Sequence, residues 1–372
     1  MHDASQPTVA VIGAAGFVGR ELLRLLEEDG IRVVAVARGN PEIAADSDFH
    51  VVCPDIRELR PGSFEGVVNL AYPTSGTIDT YRAQTDALFR QIESLRTDRG
   101  HLIQVSTLTV FGLALDREAV VGPVRSTRGV PYVEAKIAAE RFAVRHQAAR
   151  SLSVDIVRLG NVIGPASPGW TRSLVQRLVT GRPVGVAGMS GFSNCTDVAN
   201  ATSYLWSLLA PLNSGPGVRY HHLAEFSFVP WSEWIGPLAN ALGGDPVYSE
   251  PGAVQLPTVR NELAVAFGQF SPLRVYRTLQ LERAMGSWMR TLRSWVPDRA
   301  IPRPKHADAV FAQQPAIDRA EQTFLAIMTA QQEFESLTHR DWTPPVTKEQ
   351  SIERMLEWLG RDWHIDEARI AE

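Results

Sequence analysis

Lysine is almost missing from this chain: Lys136, Lys305 and Lys348 stand against 34 arginines among 372 residues. Arginine serves as well for a solvated surface charge, so a lysine kept in that background is a mild pointer to a required ammonium. Cysteine is scarcer still. Cys53 and Cys195 cannot build a disulfide framework or a cysteine-only zinc site. An excess of positive charge is also lacking. A net charge of -4 and a pI near 6.2 give no global basic field, so no nucleic-acid partner is expected. No run approaches the ~18 apolar residues that would span a bilayer. Met1 to Thr8 is polar and leads straight into Val9-Ala10-Val11-Ile12, so no signal peptide is expected and the cytoplasm is the default. His221-His222 lacks the spaced third ligand of a zinc site, and no metal is expected.

What is present is ordinary globular material, 44% hydrophobic and 21% charged, enough for about two domains. Short apolar runs at Thr8–Ile12, Val33–Ala37, His50–Val52, Val67–Leu70, Leu102–Ser106 and Val154–Leu159 read as strands. Helical patterns at Phe17–Glu28, Thr80–Arg96 and Val133–Ala148 separate them. That alternation predicts a doubly wound α/β domain with a parallel sheet over 1–165. Residues 166–372 read as a smaller, mostly helical substrate-binding part, from which about 195–225 returns to the first domain. Helices are expected at Trp170–Thr180 and Asp197–Leu209, a short strand at Pro183–Ala187, and a long helical insertion over about 258–340. A last helix, Lys348–Leu359, follows Thr347 as N-cap with Gln350 three residues on.

Gly13-Ala14-Ala15-Gly16-Phe17-Val18-Gly19 follows the first strand and opens the first helix. Glycine permits the tight turn and the close backbone approach, and the helix N-terminus offers amides to a pyrophosphate. The second strand ends at Ala37-Arg38-Gly39-Asn40 with no carboxylate for a ribose 2′-hydroxyl. Arg38 suits a 2′-phosphate, so NADP(H) is preferred and NAD(H) is second choice; otherwise Arg38 is a solvated loop residue. Asp55 and Ile56 follow the third strand, and Asp55 is either an adenine neighbour or a helix cap.

Tyr132 and Lys136 lie four residues apart at the start of a helical pattern, on one face. A tyrosine ordinarily titrates near 10. A nearby ammonium favours the phenolate and brings it toward working range. Ser106 and Thr107 end a parallel strand, where open α/β sheets bind ligands. A hydroxyl there can hold a substrate carbonyl.

These segments resemble an extended short-chain dehydrogenase/reductase, of the NAD(P)-dependent epimerase/dehydratase family. The matches run in order: Gly13–Gly19, Asp55-Ile56-Arg57, Asn69-Leu70-Ala71, Ser106–Gly112, Tyr132–Lys136, Arg158–Pro165, Cys195–Ala199 and the C-terminal helix ending at Trp358. The resemblance implies a Rossmann-type domain, with Leu70 and Ala71 beside the cofactor and Lys136 on its ribose. It implies Tyr132 as general acid/base. Thr107, 25 residues before that tyrosine, takes the hydroxyl role with Ser106 as its neighbour. Asn161 falls at a position that contacts substrate, or else closes a turn. A homodimer through the helix of Tyr132 is the family habit.

Two departures narrow the expectation. Dehydrating relatives carry acids after the strand-end Ser-Thr, where this chain has Leu108-Thr109, so dehydration is not expected. Nucleotide-sugar relatives carry an arginine seven residues before Asp197 that pairs with the diphosphate; here Ser190 stands there, with Arg172, Arg177 and Arg182 as unplaced substitutes. The reading is an NADP(H)-dependent oxidoreductase acting on a keto sugar, nucleotide-linked or not, or on another biosynthetic ketone. A nucleotide-sugar epimerase is the alternative, and a catalytically silent dinucleotide sensor or scaffold is the alternative of another class. The stretch Leu273–Lys305 carries seven Arg and one Lys among apolar residues at helical spacing. It reads as a helix docked on its own domain, and secondarily as a basic lid or a membrane-surface helix; no membrane contact is expected.

Overall fold

The computed structural model describes residues 9–37, 50–62, 64–72, 78–112, 122–124, 131–150, 152–209, 215–251, 319–331, 333–339 and 341–363. The chain forms two compact units, one of Met1–Pro251 with Leu325–Glu372 and one of Gly252–Phe324. Nearly all of the second unit, with the basic stretch 273–305, lies outside the described residues, and so does Arg38.

The first unit is built on seven strands: β1 (Val9–Ile12), β2 (Val33–Val36), β3 (His50–Cys53), β4 (Phe64–Asn69), β5 (Arg96–Thr107), β6 (Ser153–Leu159) and β9 (Gly217–Leu223). They pair in the order β3-β2-β1-β4-β5-β6-β9, and every pair is parallel. Two further strands, β7 (Asn161–Ile163) and β8 (Cys195–Asp197), pair in parallel beside it. This is the doubly wound parallel sheet the strand and helix spacing predicts.

Alternation along each strand feeds two cores. Val9, Val11, Val33 and Ala35 face α1 (Phe17–Glu28) and α5 (Val198–Leu209), which contribute Leu22, Leu26, Tyr204 and Leu205. Ala10, Ile12, Val34 and Val36 face the other way, toward α2 (Ile78–Leu95) and α3 (Pro131–Arg150), which contribute Phe89, Ile92, Ala139 and Ala143. A strand covered on both faces must be apolar at every position, which explains the unbroken run from Val33 to Ala37. Each fully buried leucine or phenylalanine contributes roughly 1.5–3 kcal/mol.

The remaining described helices are α4 (Thr171–Val179), α6 (Trp231–Ala241), α7 (Arg319–Met328) and α8 (Lys348–Asp362). The expected capping box of α8 forms: Thr347 accepts from the Gln350 amide, and the Gln350 side chain accepts from the Thr347 amide. Asp197, at the end of β8, accepts from Ser351 Oγ at 2.5 Å and Arg354 Nη1 at 2.7 Å, fastening α8 to the sheet-bearing unit. The strand expected at Pro183–Ala187 does not form; Val186 makes only single bridges to Met189 and Ser249. Pro183 has no amide to give to a ladder, and a turn through 187–188 folds Val186 back on Met189.

The strand order reverses at β1, which is flanked by β2 and β4. In such sheets the crevice beyond the carboxyl ends of those strands is the ligand site. Gly13, at φ +83°, makes the turn out of β1, and a Cβ there would meet the Ala71 amide nitrogen at 2.9 Å. Gly19 lets α1 cross the loop closely: a Cβ would stand 2.5 Å from the Gly13 carbonyl oxygen and 2.6 Å from that of Ala14. Gly19→Ala is therefore expected to destabilise the chain by about 1–3 kcal/mol through overpacking. A urea melt unchanged in midpoint would refute this.

Candidate active site

The glycine loop fits a pyrophosphate. Gly16 is the N-cap of α1 and places no side-chain acceptor over the first turn. The opening amides of the helix carry the partial positive charge of its N-terminus. Ala15, Phe17 and Val18 are half-buried around this turn. Across the crevice, the Leu70 amide donates to the Ile12 carbonyl at 2.9 Å, and the Ala71 amide to Asn69 Oδ1 at 3.1 Å. The first bond holds the end of β4 against the end of β1, and the second fixes the turn that follows β4. The Asp55 carboxylate accepts from the Arg57 amide at 2.9 Å and caps a 3₁₀ turn, Ile56–Glu58. The Arg57 guanidinium beside it brings Asp55 down to about 2. Ile56 is buried beneath the turn.

The chemical groups gather at the end of β5. Thr107 closes the strand, caps a 3₁₀ turn at Leu108–Phe111, and shares a 3.1 Å hydrogen bond with Thr109. Tyr132 and Lys136 stand one turn apart on α3, and the Thr107 hydroxyl comes near enough to Tyr132 to favour its phenolate. Thr107, Tyr132 and Lys136 are thus brought together. Ser106 is not part of that contact: its hydroxyl donates to Glu140 Oε1 at 2.6 Å, on the buried side. Asn161 is elsewhere too, its side chain donating to the Ser193 carbonyl at 2.6 Å and clamping β7 beside β8.

The electrostatics differ from the expectation of a phenol drawn down by its lysine. Burial pushes Tyr132 up to about 12, with a smaller push from Tyr72 and an opposing hydrogen bond from Thr107. Lys136 Nζ donates to the Val105 carbonyl at 3.1 Å and lies over the Tyr72 ring, 4.9 Å from its centre. The ammonium is engaged with a strand carbonyl and an aromatic face, and the tyrosine stays a protonated donor at neutral pH. Burial pulls Lys136 down to about 8, and Glu140 works against that fall.

The folded chain therefore bears a cost for charging Lys136 at neutral pH. That cost is relieved as pH rises from about 8 toward the ordinary value of 10.5, where the unfolded chain still holds its proton. Lys136→Met is expected to raise stability at pH 7 by about 1–3 kcal/mol, with the gain shrinking across that window. Urea melts at pH 7 and 10 measure it. Equal stability at pH 7 would mean that the contacts to Val105 and Tyr72 offset the burial.

The sequence reading passes over two residues of this cluster. Tyr72 directly follows Asn69-Leu70-Ala71 and meets Tyr132 edge to face, ring centres 5.1 Å apart. Glu140 continues the Tyr132–Lys136 spacing by one more turn, the signal that could have found it.

A cavity of about 370 Å³ lies between the 184–190 segment and α6, lined by Val184, Met189, Ser190, Trp231, Tyr248 and Met328 among others. No charged side chain lines it among the described residues. Arg177 donates to the Pro183 carbonyl at 2.8 Å, and the Arg172 guanidinium stands 6.0 Å from the centre of the Trp358 ring. Among the described residues there is no group of three or more His, Cys, Asp or Glu that could hold a metal ion. No described helix is long and apolar enough to cross a membrane. Cys53 and Cys195 are free and buried.

Sheet order and glycine turn together define a Rossmann-type dinucleotide-binding fold of the extended short-chain class. The chain belongs to the NAD dependent epimerase/dehydratase family, whose model matches residues 9–202. Over 179 residues it is 31% identical to a dTDP-6-deoxy-L-talose 4-dehydrogenase (NAD(P)(+)) from Kitasatospora kifunensis. That stretch is 43% of this chain and 54% of the relative, so the chain spans about half the length of this curated protein. Among solved structures, MoeE5 in complex with UDP-glucuronic acid and NAD superposes with a TM-score of 0.52 at 23% identity, covering 65% of this chain and 84% of its own. TunA, an NAD dependent NDP-hexosamine 5,6-dehydratase of tunicamycin biosynthesis, gives 0.54 at 21%, covering 66% and 85%. Both likenesses show the fold. The expectation that dehydration is excluded finds no support in these neighbours, since one is itself a dehydratase.

Proposed function

We propose that this chain is an NADP(H)-dependent oxidoreductase acting on the carbonyl or secondary alcohol of a keto sugar, nucleotide-linked or free. The observation that carries the reading is the gathering of Tyr132 and Lys136 about Tyr72 and the end of β5, where Thr107 stands. The dinucleotide, when bound, supplies or accepts a hydride. The chain's part is to place it and to handle the proton. The loop 13–19 would bind the pyrophosphate, Leu70 and Ala71 would wall the crevice, Asp55 and Ile56 would border the adenine, and Arg38 would take a 2′-phosphate. Lys136 would hold the ribose. Thr107 would donate to the substrate oxygen, and Tyr132, protonated at neutral pH, would deliver its proton to that same oxygen in the reductive direction. Asn161 would contact the substrate from β7.

Positions 108 and 109, leucine and threonine, carry no acid for eliminating water, which supports reduction over dehydration in this chain. The curated relative is named for NAD(P)(+), which supports NADP(H) as one of its two cofactors. An epimerase would use the same groups and return the hydride to the same substrate. Dinucleotide released by acid from the purified protein would indicate the epimerase, and stoichiometric consumption of NADPH the reductase.

Thermal melting tests the reading without a known substrate. NADP+ at about 100 times its dissociation constant should stabilise the chain by ~2.7 kcal/mol. NAD+ at the same concentration should shift it less, and a larger shift with NAD+ would overturn the NADP(H) preference. UDP, dTDP, GDP and CDP added to the NADP+ complex then separate the substrate classes. A further rise with one of them names the nucleotide carrier despite Ser190, and none points to a free sugar or ketone.

A further inference from the structure

We propose that Glu140 is a positioning residue of this site, holding Ser106 at the end of β5 and standing as the buried counter-charge to Lys136. The inference rests on reading Tyr132 and Lys136 as the acid/base pair. Residues 132, 136 and 140 follow one another by four along α3, so the three side chains share a helix face. Glu140 is 2% exposed. Its Oε1 accepts from Ser106 Oγ at 2.6 Å and from Arg158 Nε at 3.0 Å, and its Oε2 accepts from Arg158 Nη2 at 2.7 Å.

Arg158 is itself fully buried and fixed from every side. It donates to the Gly122 carbonyl at 2.6 Å and meets His222 Nε2 at 3.2 Å. Its guanidinium lies between the rings of Phe111 and Tyr220, at 4.9 and 4.8 Å. As a device for stability such a pair is poor, because apolar residues of the same volume usually serve as well or better. Its placement makes sense as a device for the site. It pins the residue before Thr107 and puts a fixed negative charge one turn behind an ammonium whose proton burial loosens.

The groups facing Lys136 are few among the described residues. Tyr132 and Glu140 come from its own helix, the Val105 carbonyl from β5, and Tyr72 from the segment after β4. Behind Glu140 stand Arg158 from β6 and His222 from β9, and burial pushes His222 down to about 4, so it is neutral at pH 7. Glu134, also on α3, is paired with Arg82 of α2 at 2.8 Å.

The scarcity of lysine makes the test direct. With three lysines in the chain, the full-length protein labelled with 13Cε-lysine gives three lysine signals, and Lys136→Met identifies the one of interest. Its midpoint is read by titration. In Glu140→Gln it should fall by about one pH unit, a tenfold loss of proton affinity. That variant leaves Arg158 buried without its carboxylate and is the one at risk of misfolding. Glu140→Gln with Arg158→Met removes both charges, puts an apolar side chain in place of the buried guanidinium, and should lower the midpoint in the same direction. Wild-type midpoints in these variants would overturn the inference. The underlying reading is checked separately by NADPH fluorescence titration: undiminished binding by Lys136→Met would remove the ribose role of Lys136 while leaving the titration result standing.

Discussion

Replacing Tyr132 by phenylalanine is expected to lower turnover about 10²–10⁴-fold, the usual share of a positioned general acid, or roughly 3–5 kcal/mol of barrier. Dinucleotide binding should be little changed, since the loop 13–19 and Lys136 remain. Thr109 also stands against Thr107, but its hydroxyl and amide are far weaker acids than the Tyr132 phenol. Phenylalanine keeps the ring, so the edge contact with Tyr72 survives and the loss is that of the proton alone. Reduction should also fade above pH 8, because Lys136, which titrates near there, then loses its charge. Single-turnover rates for the two proteins across pH 6–9 measure both effects. A variant as active as the parent would move the acid role to another group, and a silent scaffold would show no turnover in either protein.

The second large effect is on stability and lies far from the chemistry. Asp155 on β6 is 1% exposed. It accepts from Arg219 Nε at 2.7 Å, from His221 Nε2 at 2.7 Å, and from His101 Nε2. His221 Nδ1 in turn meets the Tyr204 hydroxyl at 2.6 Å, which accepts from the His339 amide at 3.1 Å. These donors hold the Asp155 carboxyl well below the usual carboxylate range. A carboxyl so depressed gives stability that is whole above its unfolded value, near pH 4, and is lost as pH falls below it. Asp155→Asn is expected to cost about 3 kcal/mol at pH 7, with a fall of roughly 5 °C or more in melting temperature. The gap between parent and variant should narrow below pH 4. A gap that stays constant into acid would show that hydrogen bonding rather than charge fixes this cluster.

Most of the sheet was legible because burial on both faces writes itself into composition. Val33 to Val36 could hardly be anything but an inner strand, and α1 begins and ends where its leucine spacing predicts. The strand β9 was harder. Gly217-Val218-Arg219-Tyr220-His221-His222-Leu223 is half polar, because its polar groups satisfy Asp155 and Arg158 within the fold. A buried polar network erases the hydrophobic pattern that strand recognition relies on. The helix α6 was missed for another reason: Pro237 stands inside it, a residue that ordinarily ends a helix.

In the site, spacing alone put Tyr132 and Lys136 on one face and the hydroxyls at a strand end. Direction was not legible. Ser106 and Thr107 are neighbours on a strand, so their side chains point to opposite faces, and only the structure shows Thr107 with Tyr132 and Ser106 with Glu140. Nor was the engagement of Lys136 by Val105 and Tyr72, which depends on two segments far apart in sequence.

The chain leaves the sheet-bearing unit after Pro251 and rejoins it at Leu325, and both crossings are tied to one short segment. Ser249 exchanges backbone bonds with Gly185 and Ala187, at 2.9 and 2.8 Å, and the Gly191 amide donates to the Met328 carbonyl at 2.8 Å. Exit and return are thus neighbours, and Tyr248 and Met328, one at each crossing, border the same cavity. Closing a longer loop between fixed ends costs only about 0.6 kcal/mol per doubling of its length. The stretch between two such fixed ends can therefore be lengthened or trimmed at little entropic cost to the sheet-bearing unit. Variation between lineages is expected to collect between those two crossings.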